Sequence, residues 1–120
     1  SNISAGAPRE ATDEIEEMVN YPNLFTEIKE PYILEVEDNS MVGANIDDGD
    51  YLLVDAAVSA QDRDIIVAMI NGQMTVKRLS QKNGWVKLMP ENPSYEPWEI
   101  TRSDDFKIVG VVKRIIKEAM

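Results

Sequence analysis

Ile65-Ile66-Val67-Ala68-Met69-Ile70, Asn71-Gly72, Met74-Thr75-Val76-Lys77-Arg78-Leu79: an almost unbroken apolar run, a two-residue turn signal, and a return in which side chains of different character alternate. The first run has the length and composition of a strand covered on both faces. Asn-Gly is a strong signal for a tight hairpin, because its two residues accept the positive φ that such a turn needs. Side chains alternate along a strand, so the return puts Thr75 and Lys77 on one face and Met74, Val76 and Arg78 on the other. A lysine flanked by Val76 and Leu79 and facing an apolar run is placed for partial burial.

Outward from this hairpin the signals remain those of strands. Tyr32-Ile33-Leu34-Glu35-Val36 precedes it, and Tyr51-Leu52-Leu53-Val54-Asp55 follows the turn Asp48-Gly49-Asp50. Asn83-Gly84 predicts a second tight turn into Trp85-Val86-Lys87-Leu88-Met89. Pro90, Pro93 and Pro97 punctuate a loop, after which Trp98-Glu99-Ile100 and residues Phe106 to Ile116 supply the last strands. Short strands joined by tight turns predict a mostly β fold, a curled sheet or small barrel. At the other end, residues 1 to 10 read as a flexible arm. Thr12 then caps a short N-terminal helix with Ile15, Met18 and Val19 on one face, ended by Tyr21-Pro22-Asn23. The opening Ser1-Asn2 reads as the remnant of a removed tag, so a longer natural protein is expected.

The chain has 120 residues, enough for one compact domain with a real core. It contains neither a signal-peptide pattern nor an apolar run long enough to span a membrane, and the expected location is the cytoplasm. A net charge of −10 argues against direct nucleic-acid binding by this domain, since phosphates need a basic face. The chain has no His and no Cys. A Ser-His-Asp triad, a Cys-His dyad and a His/Cys metal site are therefore excluded, and no cofactor is expected.

A hydrolase with a side-chain nucleophile is left few options, Ser-Lys among them. Ser40 sits just past a strand, where the chain bends and backbone N–H groups can face a developing oxyanion. Burial of Lys77 would lower its pKa and leave a neutral amine able to take the serine proton. The same two residues also read as a turn serine and a solvent-facing lysine. Asp47, Asp48 and Asp50 lack the ligand pattern of a calcium loop and read as turn chemistry. Trp85 and Trp98 read as core or interface anchors.

Asn39-Ser40-Met41, followed by Ile46-Asp47-Asp48-Gly49-Asp50-Tyr51-Leu52-Leu53-Val54-Asp55, resembles the serine motif of the self-cleaving SOS proteins. These are the S24 peptidases: LexA-type repressors, phage repressors and UmuD. Asp64-Ile65-Ile66-Val67-Ala68 with Thr75-Val76-Lys77-Arg78-Leu79 resembles the family's lysine strand. Leu88-Met89-Pro90-Glu91-Asn92-Pro93-Ser94-Tyr95 resembles its later loop, and Ile108-Val109-Gly110-Val111-Val112 its last strand. Asp38-Asn39 stands where the family commonly has Gly-Asp.

The resemblance implies the curled sheet of the LexA/signal-peptidase type. It implies Ser40 as nucleophile, Lys77 as general base, the backbone N–H groups of Ser40 and Asn39 as oxyanion donors, and Ala5-Gly6 as the bond cut. On this basis residues 1–30 are expected to form the cleavage-site arm and short helix, and 31–120 the Ser-Lys autopeptidase domain. Implied partners are a second copy of the chain, the RecA–single-stranded DNA filament and, since the arm looks closer to UmuD, an error-prone translesion polymerase subunit. The alternative is the autoproteolysis and dimerisation domain of a LexA-like or phage-type repressor. A further alternative keeps the peptidase fold without activity, for dimerisation and docking alone.

Overall fold

The computed structural model describes residues 8–10, as backbone, and residues 23–117. Among these residues there are eight strands: β1 Pro8–Glu10, β2 Pro31–Val36, β3 Tyr51–Asp55, β4 Ile65–Ile70, β5 Gln73–Lys82, β6 Trp85–Met89, β7 Trp98–Glu99 and β8 Phe106–Ile116. They form one antiparallel sheet in the order β1-β2-β3-β8-β4-β5-β6-β7. The last strand thus enters the middle and joins the β2–β3 half to the β4–β7 half. Register shifts at Leu53/Val54 and Val67/Ala68 put a bulge on each side of β8, and bulges bend and twist a sheet. The sheet curls into a half-barrel, far enough for β1 at one edge to approach β5.

Both Asn-Gly turns form as expected. Asn71 and Gly72 have φ of 50° and 82°, and Asn83 and Gly84 have 51° and 84°. Ile65 pairs with Arg78 and Ile70 with Gln73 across the first of them. The apolar run of β4 is buried on both faces: Val67 packs with Leu34, Val36, Leu52, Val54 and Val76, whereas Ile66, Ala68 and Ile70 pack with Leu79, Leu88 and Val111. Every residue of β3 is buried. Its outer side, Tyr51 and Leu53, is covered by Leu24, Phe25 and Ile28.

Three expectations need correction or lie elsewhere. Pro8–Glu10, expected in a flexible arm, form β1 on the open edge of β2, with Pro8 opposite Val36 and Glu10 opposite Leu34. An unpaired strand edge presents a row of N–H and C=O groups, and an extended segment satisfies them. Trp85 and Trp98 are not core residues, being 64% and 39% exposed. The helix expected from Thr12 lies outside the described residues. Among those described, the one helical element is the 3-10 turn Val42–Ala44, and no helix is long and apolar enough to cross a membrane.

Gly110 on β8 lies against the β2–β3 half. A Cβ there would press on Val54 Cγ1 more closely than real contacts allow and would sit 2.9 Å from Tyr32 Oη. Gly110→Ala is therefore expected to cost about 1–3 kcal/mol, the usual scale for overpacking a core. Urea denaturation should show a lower midpoint with an unchanged slope.

Candidate active site

Ser40 lies in a loop whose base is pinched shut. The Val36 N–H donates to the Asp50 carbonyl, and the Gly49 N–H donates to the Val36 carbonyl. Gly49, at φ 91°, makes the turn that allows this. Within the loop Met41 and Ile46 are buried in the same cluster as Leu34, Val36 and Val76, so the residue after Ser40 anchors the bend. Asp50 closes the turn with its side chain, which accepts the Asp47 N–H at 2.7 Å and pairs with Lys117. Turn chemistry thus accounts for two of the three acidic residues considered above.

The loop after β6 grips Ser40 from the other side. The Glu91 N–H donates to the Ser40 carbonyl at 2.8 Å, and the Gly43 N–H donates to the Glu91 carbonyl at 2.7 Å. Asn92 Nδ2 donates to the Asn39 carbonyl at 2.8 Å. A Cβ at Gly43 would stand 2.7 Å from the Glu91 carbonyl oxygen, so only glycine lets the two loops come this close. Glu91 is itself held by Arg78 Nε at 2.8 Å. These supports were missed as functional residues in the sequence, where Pro90 to Pro97 signals a loop without saying what it docks on.

β5 supplies the lysine. Lys77 is 7% exposed and Ser40 is fully buried. Lys77 Nζ donates to Thr75 Oγ1 at 2.8 Å, to the Val76 carbonyl at 3.2 Å and to Ser40 Oγ at 3.3 Å. Three acceptors match the three N–H donors of an ammonium. After loss of one proton, the Thr75 and Val76 contacts use the two remaining N–H groups, and the lone pair faces the serine hydroxyl. Burial pushes the Lys77 pKa down from 10.5 to about 8, while the charge of Asp38 acts to raise it. Thr75 is the positioning partner that alternation already put on the lysine's face.

The Ser40 N–H donates to Asp38 Oδ1 at 3.0 Å, so in this structure that donor is taken by a carboxylate. Asn39 is fixed through its carbonyl, as described. Ala5 and Gly6 lie outside the described residues. Chemically, the arrangement provides a buried hydroxyl beside an amine of lowered basicity, the two groups needed to activate a serine without an imidazole.

The lowered pKa has a thermodynamic consequence. The unfolded chain binds more protons than the folded one between about pH 8 and pH 10.5, so stability contributed by this group rises across that window. Lys77→Met should be the more stable protein below about pH 8, by up to about 3 kcal/mol, and its advantage should vanish toward pH 10.5. Urea denaturation of both proteins at several pH values measures the gap; a gap constant with pH would mean an unperturbed amine.

Residues 1–113 match the family model described as Peptidase S24-like. The LexA repressor of Bordetella parapertussis is 38% identical over 116 residues, which cover 96% of this chain and 53% of the relative. The LexA repressor of Syntrophotalea carbinolica is 37% identical over 115 residues, covering 96% and 56%. That of Bifidobacterium longum is 37% identical over 114 residues, covering 94% and 47%. The chain thus spans about half the length of the curated relatives it matches. With a match to nearly its whole length, this chain belongs to the S24-like peptidase family.

Proposed function

We propose that this chain is the self-cleaving serine peptidase domain of a LexA-like repressor, with Ser40 as nucleophile, Lys77 as general base and Ala5-Gly6 as the bond cut. The observation that carries the reading is the contact of Lys77 Nζ with Ser40 Oγ at 3.3 Å inside a site from which water is nearly excluded. A second observation bears on the substrate. β1 runs antiparallel to β2, so its N-terminal end, Pro8, lies opposite Val36, the residue from which the chain leaves β2 for the Ser40 loop. Gly6 is two residues before Pro8, and a few residues of extended chain span roughly 10 Å. The strand therefore leads back toward its own serine, which favours cleavage within one chain. In this reading residues 1–30 are the cleavage-site segment and 31–120 the catalytic domain.

In the proposed reaction neutral Lys77 takes the proton of Ser40 Oγ as that oxygen bonds to the Ala5 carbonyl carbon. The carbonyl π electrons move onto oxygen and form an oxyanion. Collapse breaks the Ala5–Gly6 bond, and the Lys77 ammonium gives its proton to the departing Gly6 nitrogen. Lys77 then deprotonates a water that attacks the Ser40 ester; the Ala5 carboxylate leaves and Ser40 regains its proton.

The relatives described above carry the name LexA repressor, which favours the repressor reading over the polymerase-subunit reading. A homodimer and stimulation by the RecA–single-stranded DNA filament belong to the proposal on the same ground; the polymerase partner has no such support.

Incubation of the full chain at rising pH, followed by mass spectrometry, should give fragments that end at Ala5 and begin at Gly6. The rate should climb through about pH 8 as Lys77 loses its proton. Ser40→Ala should stay whole, and Lys77→Ala should be slower by at least about a hundredfold, the lower end for loss of a general base. A folded wild-type chain that remains intact at alkaline pH and with RecA filament would defeat the reading.

A further inference from the structure

Asp38 lies on the Ser40 loop, half-buried, and its carboxylate accepts the Ser40 N–H. We propose that Asp38 is a built-in restraint on self-cleavage: its carboxylate occupies the Ser40 N–H at rest and has to release it before a substrate carbonyl oxygen can take that donor. This rests on the reading of Ser40 as nucleophile. An oxyanion in acyl transfer is stabilised by N–H donors at roughly 2.7–3.1 Å. The 3.0 Å contact from Ser40 N to Asp38 Oδ1 already uses one such donor, and a carboxylate there also repels a second negative oxygen.

The same carboxylate acts on the base. Its charge favours the protonated form of Lys77 and opposes the effect of burial. Three acceptors of Lys77 Nζ, namely Ser40 Oγ, Thr75 Oγ1 and the Val76 carbonyl, are uncharged. The next residue on β5, Arg78, is paired with Glu91 of the facing loop, and Lys117 is paired with Asp47 and Asp50. Glu35 and Glu37 precede Asp38 on the strand and loop. The charge of Asp38 acts on the Lys77 ammonium. Asp38 thus slows the reaction in two ways, by holding a donor and by holding a proton on the base.

The two effects separate by substitution. Asp38→Asn keeps an oxygen acceptor for the Ser40 N–H and removes the charge; Asp38→Gly removes both. Self-cleavage of the full chain is followed by mass spectrometry between about pH 6 and about pH 10, a range that brackets the lysine titration. Alongside, the Lys77 protonation midpoint is measured by NMR in a Ser40→Ala background that does not cut. Asp38→Asn is expected to move both the rate profile and the NMR midpoint to lower pH, and to raise the alkaline plateau by less than Asp38→Gly does, because an acceptor for the Ser40 N–H remains. Asp38→Gly is expected to show that shift and a plateau about tenfold higher, the worth of one hydrogen bond to a charged group. A Lys77 midpoint unmoved in Asp38→Asn, or slower cleavage in both variants with wild-type denaturation midpoints, overturns the proposal and leaves Asp38 as a loop brace. Ser40-dependent cleavage that is identical in all three proteins removes the role of Asp38 alone. Folded proteins that never cut, wild type and variants together, remove the self-cleavage reading and this one with it.

Discussion

Taking an ammonium out of water carries a penalty of several kcal/mol unless donors and charge are compensated, and the geometry around Lys77 follows from that cost. Its nitrogen is ringed by Thr75 Oγ1, the Val76 carbonyl and Ser40 Oγ, all within 3.3 Å. These contacts satisfy the donors without supplying a full negative charge at contact distance. The amine is therefore tolerated in the interior yet only weakly committed to its proton, with a pKa near 8. A carboxylate in direct contact stabilises an ammonium and raises its pKa, whereas an apolar wall on all sides leaves its donors unmet. The charge of Asp38 shifts the balance toward the protonated form.

Holding that balance requires two segments distant in sequence to meet within tenths of an ångström. β5 is fixed by pairing on both sides, with β4 and β6, which makes the lysine's origin rigid. The serine is on a loop, and loops are placed well only when anchored. Here Met41 and Ile46 bury themselves in the core, the Val36 and Asp50 backbones close the base, and Glu91 and Asn92 grip the carbonyls of Ser40 and Asn39. The site is as precise as these anchors make it, and the Gly43–Glu91 approach shows how little slack they leave.

The open edge of β2 gives the fold a way to receive a peptide. A segment added as a strand binds through backbone hydrogen bonds and is aligned by register more than by side-chain identity. β1 uses this mode, with Pro8 opposite Val36 and Glu10 opposite Leu34. An intramolecular substrate delivered this way needs little affinity, because its effective concentration is set by the chain itself. On the proposed reading such a domain requires restraint, so that the bond is not cut as soon as the chain folds, and a lysine that holds its proton and a serine N–H already engaged would both supply it.

Much of this was legible in the residues alone. Period-two alternation and Asn-Gly turns are local signals, so the β4–β5 hairpin, the second turn and the pairing of Thr75 with Lys77 on one face could be read before any fold was known. Absence of His and Cys narrowed the chemistry, and the order of motifs around Ser40 and Lys77 pointed to the family. Tertiary structure alone decided the rest, because each remaining feature depends on distance between residues far apart in the chain. Residues 8–10 become a strand only because β2 has an unpaired edge; Trp85 and Trp98 stay exposed because no described element covers them. The docking of Glu91 and Asn92 on the serine turn has no periodicity to announce it. Whether a lysine's amine is buried against a hydroxyl, and whether a neighbouring carboxylate turns toward the same N–H, are matters of a few ångströms in three dimensions that composition and spacing cannot encode.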